Sequence, residues 1–462
     1  MRGKRRNSSC DKGQGHSEGR HRERAVKVGA TGGDTFEGKT IRNWEAVPAA
    51  SMDRSGDGTV GQKRRILHSV IDKVYHWNNL KVASRKVVGN KGSAGVDGMG
   101  VEEWKEKEED HLRELRRRLM KDTYRSKLVL RCYIPKPGSK KQRPLDIPAV
   151  MDRVCQAAVQ KVLSPVFEEY FHEDSHGFRP GCNTQTAAKR VEELRKQGYH
   201  HGVDLDIRDF FGQVDREILM KLVGQVVKDR RVLGLIRGWL KAGVLEEGNV
   251  RYMTSGTPQG GVISPLLSNV YLTILDNALT EGGYKFVRYA DDVLILGRSE
   301  EEAAEALNHA RAVLTRLKLR LNEEKTRMIS FEEGFDFLGF HFGKRGRTIA
   351  RKSLKAFYDR VREGTKRHQG DKPVNTVIEE LNPLLRGWAN YHREGRNVGM
   401  FDRLDNWIRK RLRGYIYKRW RVFKWPMAHK PTAEEFERMG LFSLRKVLRP
   451  ESLQLSLFPA PL

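Results

Sequence analysis

Apolar residues return at helical spacing through "RRILHSVIDKVYHWNNLKVASRKVV" (64–88), which predicts helix. A glycine-rich loop, "NKGSAGVDG", follows, and "VEEWKEKEEDHLRELRRRLMKDTY" returns to helical spacing. At "LVLRCYIPK" the pattern changes to alternation, which predicts strand. "KPGSKKQRP" is a turn with four positive charges, "LDIPAV" follows it, and a long helix is expected from Asp152 to Tyr170. "HHGVDLDIRDFF" reads as a strand ending in acids, and "VDREILMKLVGQVV" as a helix. "GYKFVRYADDVLILG" reads as two strands joined at a tight turn near Ala290. An amphipathic helix follows, with Leu307, Leu314 and Leu317 on one side. Strand, helix, hairpin and helix in that order predict an α+β fold, an antiparallel sheet backed by helices.

Composition adds a partner class. The 462 residues allow two or three domains, and 87 Lys/Arg against 59 Asp/Glu give a formal net charge of +28. Such an excess favours a polyanion, nucleic acid before an acidic membrane surface. Between Lys344 and Lys424 lie 23 Lys/Arg and 8 Asp/Glu, so this helical stretch carries +15 of that charge. The first sixty residues hold ten glycines, twelve Lys/Arg and eight Asp/Glu without apolar periodicity, and are expected to form a disordered basic extension. Cys10, Cys132, Cys155 and Cys182 form no C-x-x-C pair, which argues against zinc ribbons and disulfides and fits a reducing compartment. No apolar run is long enough to span a membrane, and no secretory h-region is present.

The candidate chemistry lies in acids at strand ends. Asp291 and Asp292 are adjacent inside an otherwise apolar hairpin, and a lone acid pair at a turn is more often solvated than catalytic. With Asp206 from a neighbouring strand, however, the two could hold a pair of Mg²⁺ ions about 3.5–4 Å apart. Hard cations take oxygen ligands, and Mg²⁺ leaves room for substrate phosphates. One ion would activate a 3′-hydroxyl and the other steady a leaving pyrophosphate.

An ordered series of blocks surrounds these acids: "NKGSAGVDG", "YIPKPGSKKQRPLDIPAVMDRVCQ", "SHGFRPG", "DLDIRDFF", "GTPQGGVISPLLSNVYL", "FVRYADDVLIL", "LRLNEEKT", "FDFLGFHF" and "LNPLLRGWANYH". In order and spacing, over roughly Leu67 to Trp425, they resemble the group II intron-encoded reverse transcriptase/maturase family. The resemblance implies right-hand polymerase fingers and palm over 61–343, a helical thumb or maturase domain over 344–430, and a tail over 431–462. It implies catalytic and metal-binding roles for Asp206, Asp291 and Asp292, with Ile207 beside the first as a further metal contact. Lys136 and Arg143 would grip the incoming triphosphate. Either Phe210 or Phe211 would lie under the sugar and exclude a 2′-hydroxyl. Gln259 and Lys325 would sit near the nucleotide. Tyr289, Ala290, Gly260 and Gly261 would meet primer and template, the glycines by letting backbone approach closely.

In "RLDNWIRKRLRGYIYKRW" an apolar stripe of Trp407, Ile408, Leu412, Tyr415 and Ile416 is expected to be core. Arg409, Lys410, Arg413 and Arg419 project elsewhere and are the candidate RNA contacts. Trp388 and Tyr391 are expected in the core. The implied partners are a group II intron RNA, an RNA template with a DNA primer, and deoxynucleotides. The implied work is splicing and target-primed reverse transcription in a bacterial cytoplasm, near the nucleoid, with a homodimer as one possible state. A splicing-only maturase and a reverse transcriptase domesticated in host defence are the alternatives. No cysteine follows Cys182, so the zinc-dependent endonuclease that many members carry is expected to be missing. Three positions depart from the family pattern: Gly212 where Asp is usual, Arg216 where His is usual, and Asp146 where Gly is common.

Overall fold

The structure, a computed structural model, describes residues 64–135, 142–366, 372–395, 397–423 and 431–448, with backbone alone over 418–423. The chain divides into units 1–42 and 43–462, and every described residue belongs to the second. The extension expected over 1–60 lies outside the described residues.

Three sheets organise this unit. The first contains β1 (Val129–Pro135), β2 (Gln142–Ile147), β4 (Val244–Glu246) and β5 (Asn249–Arg251), in the order β2-β1-β4-β5. The second contains β3 (His201–Asp206), β6 (Lys285–Tyr289), β7 (Asp292–Gly297) and β8 (Arg327–Ser330), in the order β6-β7-β3-β8, antiparallel throughout. The third is a meander of β9 (Phe335–Phe337), β10 (Phe340–Gly343) and β11 (Gly346–Ile349). An antiparallel sheet backed by helices is the plan that the alternation predicts.

The second sheet is buried on both faces, which explains the unbroken apolar run of β7. Val203, Leu205, Val293 and Ile295 face the main core, which includes the helices Val150–Phe167 and Ser264–Glu281. Leu294 and Leu296 face a second cluster formed with the helix Thr184–Lys196 and the third sheet. Gly202 lets β3 lie close to β7, since a Cβ there would sit 2.4 Å from the Ile295 carbonyl oxygen. Asp229 ties the entry segment down: one carboxylate oxygen accepts from the backbone N–H groups of Val70 and Ile71, and the other caps the helix Arg230–Lys241.

The helices Arg351–Gly364, Val374–Tyr391 and Val398–Phe423 enclose a separate core around Phe357, Leu385, Leu404 and Leu412. Ile408, Leu412, Tyr415 and Ile416 are buried there, and Trp407 packs at its edge. Trp388 stacks on Phe357, and Tyr391 on Phe340. Two expected boundaries move. The border at 343/344 falls inside the β10–β11 hairpin, so the sheet region runs on to Ile349. The tail expected from 431 is packed in its described part: Phe436, Leu441, Leu444 and Val447 belong to the helical core. Asp405 accepts from the Ser443 hydroxyl and the Leu444 N–H, and Asn382 exchanges hydrogen bonds with the backbone of Gly440 and Phe442. Only six residues there are α-helical, too few for periodicity to expose the buried face.

Phe436→Ala should therefore cost about 3–5 kcal/mol, as for a fully buried ring. Urea unfolding followed by fluorescence would show it; a change under about 0.5 kcal/mol would return this segment to the status of a tail.

Candidate active site

The acidic cluster is a product of register. Asp206 ends β3, and its Cα pairs across the ladder with Asp292, the first residue of β7. Like charges directly opposite one another repel. Tyr289 pairs with Asp292, so Ala290 and Asp291 form a two-residue turn. Ala290 has φ +59° and Asp291 is not left-handed, the sign pattern of a type II′ turn, which ordinarily takes glycine at its first central position. The strain persists because the surroundings fix it. Arg288, fully buried, donates from Nη1 to the Ala290 carbonyl (3.0 Å) and to Asn269 Oδ1 (2.9 Å). Its Nε and Nη2 bind both oxygens of the equally buried Asp276 at 2.7 and 2.5 Å. Gly177 closes the other side; a Cβ on it would lie 2.1 Å from the Ala290 nitrogen.

A fourth acid joins the three expected ones. Asp204 lies two residues before Asp206, hence on the same face of β3, and binds Arg327 at 2.9 Å. The D-x-D spacing carries that signal, which the expected triad of acids passes over. Lys325 Nζ lies 3.2 Å from both oxygens of Asp206. Asp292 is open at its tip yet hemmed by protein. Burial, and then the charges of Asp291, Asp204 and Asp206, push its carboxyl up to about 6, against the pull of Lys325. Burial also raises Asp291, with Asp206 adding to it and its own N–H, Arg143 and Arg288 opposing. Carboxylates this crowded, held against protonation by so few cations, suit a bound cation. Among the described residues no three acidic, imidazole or thiolate groups close a metal cage. An open site fits Mg²⁺, which takes one or two carboxylates and fills its shell with water and substrate phosphates. The Ile207 side chain is buried in the core, which leaves only its carbonyl for such a site.

The other expected residues divide. Arg143 and Gln259 come together: with the amide turned so that its nitrogen donates to the Pro144 carbonyl, the Gln259 oxygen lies 2.9 and 2.6 Å from Arg143 Nε and Nη2. Phe210 is buried against Tyr271, so Phe211 is the ring left partly accessible. Tyr289 is half-buried against the second palm cluster. Lys136, and the side chain of Arg419, lie outside the described residues. Gly260 and Gly261 approach their own chain closely: a Cβ on Gly260 would lie 2.5 Å from the Asp146 carbonyl and one on Gly261 2.7 Å from Ser264 Oγ. Arg413 has partners within the chain: its Nε donates to the Pro431 carbonyl (2.9 Å), and its guanidinium lies over Phe436. Its charge holds the C-terminal segment. Lys410 is exposed, and Arg409 bonds only its neighbour Asn406 among the contacts described.

The three departures meet at one loop. A Cβ on Gly212 would lie 2.2 Å from Asp209 Oδ2, and the Gly212 carbonyl accepts from Ser255 Oγ. Arg216 donates to the carbonyls of Met253, Ser255 and Gly256. Asp146 binds Arg131 Nε at 2.8 Å and accepts from the Gln259 N–H at 3.1 Å.

An acid-bearing hairpin in an antiparallel palm, with a cationic β1–β2 sheet and a helical thumb, defines the class: a polymerase of the reverse transcriptase type. The family model described as reverse transcriptase (RNA-dependent DNA polymerase) matches residues 134–342, and that for the group II intron maturase-specific domain matches 354–430. Protein YkfC of Escherichia coli K12 is 33% identical over 301 residues, 56% of this chain and 79% of that protein. The group II intron-encoded protein LtrA of Lactococcus lactis is 35% identical over 248 residues, 54% of this chain but only 40% of its own length. A solved Cas6-RT-Cas1–Cas2 complex overlaps at 22% identity with a TM-score of 0.34, over 54% of this chain and 27% of that one, and carries no weight here. The chain belongs to the group II intron-encoded reverse transcriptase/maturase family, whose polymerase activity is RNA-directed DNA synthesis. No helix among the described residues is long and apolar enough to cross a membrane.

The raised Asp292 carboxyl gives a signed prediction. An acid whose folded value exceeds its unfolded one destabilises the fold once ionised; the cost is absent below about pH 4 and complete above about 6. Asp292→Asn should raise the melting temperature of the metal-free protein at pH 7.5, with the gain fading by about pH 4. Thermal scans across that range would check it, and a gain independent of pH would refute the charge-crowding account.

Proposed function

We propose that this chain binds a group II intron RNA, assists its splicing, and copies it into DNA by extending a primer at the target site. The observation that carries this reading is the joint one: an intact acidic palm, with Asp206 and Asp291 beside the strained turn, and a basic helical domain on the same chain. Loss of polymerase function would leave no reason to keep four acids crowded against one another.

Within this reading Asp206 and Asp291, with Asp292 beside them, hold two Mg²⁺ ions. When bound, these supply charge neutralisation at the phosphates and a more acidic primer hydroxyl. The protein's own groups do the rest. Lys325 donates to both oxygens of Asp206 and orients that carboxylate. Arg143, with Lys136, presents cations to the triphosphate, and the Gln259 side chain aims the Arg143 guanidinium. Phe211 offers a flat apolar surface to the deoxyribose. The thumb binds folded RNA through phosphate and 2′-hydroxyl contacts, without reading base sequence.

Asp291→Ala should lower primer extension on an RNA template by about 10³-fold or more, a loss of several kcal/mol of charge stabilisation, while leaving intron RNA binding intact. Extension by the variant at wild-type rate would remove the metal assignment. In the thumb, Arg409→Gln with Lys410→Gln should shallow the salt dependence of RNA binding by about one unit for each phosphate no longer neutralised. Arg413→Gln should instead lower the melting temperature with the slope unchanged. The opposite partition, read by filter binding at several salt concentrations, would reverse the assignment of these cations.

A further inference from the structure

Phe178 combines exposure with a left-handed backbone, as no other aromatic among the described residues does. It is 52% exposed, belongs to none of the three buried clusters, and makes no ring contact among the described residues. Its φ is +60°, a conformation that bulky residues almost never adopt. Glycine or asparagine would occupy it at lower cost, so burial does not explain a phenylalanine there.

The segment around it is fixed from both sides. His176 N–H donates to the Arg288 carbonyl (2.7 Å), and Arg288 N–H to the Asp174 carbonyl (2.9 Å), which adds this loop to the free edge of β6. The Gly177 carbonyl accepts from Asn269 Nδ2 at 2.8 Å, and Gly177 itself abuts the Ala290 nitrogen. Arg179 then clamps the far side, binding Glu168 Oε2 at 2.9 Å and the Ser175 carbonyl at 2.7 Å, with the His172 carbonyl as a third partner. A rigid loop locked to the catalytic turn thus projects one strained, half-exposed ring.

We propose that Phe178 is a nucleic-acid contact residue, and that its ring packs on the base or sugar of the terminal pair of the template–primer duplex. The inference rests on the polymerase reading above. The turn that carries Asp291 must lie at the primer terminus, and Phe178 is one residue beyond the glycine packed on that turn. An uncharged ring suits the apolar faces of sugar and base, the surface that aromatic platforms use. Backbone strain retained for such a contact is a pattern of functional sites.

The test compares Phe178→Gly with Phe178→Tyr in the full chain. Primer–template dissociation constants come from anisotropy, dNTP dependence from primer extension, and stability from thermal scans. Phe178→Gly should weaken primer–template binding about tenfold, leave the KM for dNTP unchanged, and leave the melting temperature equal or higher because the strain is released. Phe178→Tyr should bind as wild type does. An abasic site in either the template or the primer half of the terminal pair should weaken the wild type on the strand the ring touches, and should not weaken Phe178→Gly further. Unchanged affinity in Phe178→Gly overturns the proposal. So does a weakened affinity accompanied by a fall in melting temperature, which would make the ring structural. An equal drop in affinity for intron RNA without a primer end also overturns it. Extension by the wild type is read first: its absence defeats the polymerase reading, whereas a wild type that extends with an equal Phe178→Gly defeats this proposal alone.

Discussion

The buried pair of Arg288 and Asp276 is the constraint on which the catalytic turn depends. Both side chains are fully excluded from solvent, and burying two charges is expensive even when they are well paired. An apolar pair of similar volume would often be no worse for stability. It could not, however, donate to the Ala290 carbonyl, and an alanine held at positive φ needs something to hold it. The guanidinium serves three acceptors at once: Asp276, Asn269 and the turn. Asn269 also grips Gly177, which presses on the turn from outside. The location of Asp291 is thus decided by a polar network below it.

That network is mounted on a single helix. Asn269 and Asp276 are seven residues apart on Ser264–Glu281, two turns along one face. The same helix begins just after the Gln259 loop: Ser264 Oγ in its first turn donates to the Pro258 carbonyl, and the Val262 N–H donates to Gln156 of the helix Val150–Phe167. One rigid element therefore sets the distance between the candidate nucleotide contact and the candidate metal ligands. Precision of this kind has a cost elsewhere. Four carboxylates crowd β3 and the turn into β7, and Asp292 holds its proton up to about 6 because burial, and then the charges of its neighbours, oppose its ionisation. The core beneath, apolar on both faces of the sheet, supplies the stability that tolerates such crowding.

Much of this was legible in the chain because the informative residues are contiguous. The alternation around Asp206 and the "RYADDVLIL" hairpin predicted strands that pair as expected, and the apolar stripe from Trp407 to Ile416 predicted the thumb core. Periodicity identifies a face but not what covers it, and there the structure adds contacts that the letters do not carry. Arg413 lies off the stripe as a free cation would, yet its partner is a carbonyl eighteen positions away. Gly260 has the look of a glycine cleared for a ligand, yet it is cleared for β2. Phe210 and Phe211 are indistinguishable as letters; the packing of Tyr271 separates them. Arg288 stood in the hairpin motif as a flanking residue, because nothing local reveals that its counter-ion is twelve positions back on a helix.

The departures from the family pattern bear on whether this palm still works. Gly212, Arg216 and Asp146 are scattered over seventy-one positions, and in a decaying enzyme such changes would have no common target. Here they share one. Gly212 makes room for the Asp209 carboxylate and offers its carbonyl to Ser255; Arg216 gathers the carbonyls of Met253, Ser255 and Gly256; Asp146 takes the Gln259 N–H. Each supports the loop that delivers Gln259, from the palm side or from β2. A guanidinium in place of an imidazole needs more acceptors, and the loop turns three carbonyls toward it. Burial lowers the affinity of Arg216 for its proton, yet no carboxylate competes for it among its described contacts. Three departures that converge on one loop, and hold it through four carbonyl contacts and the Gln259 N–H, support that loop in common rather than damage the palm at scattered points. That is a physical reason to read this palm as working rather than relict.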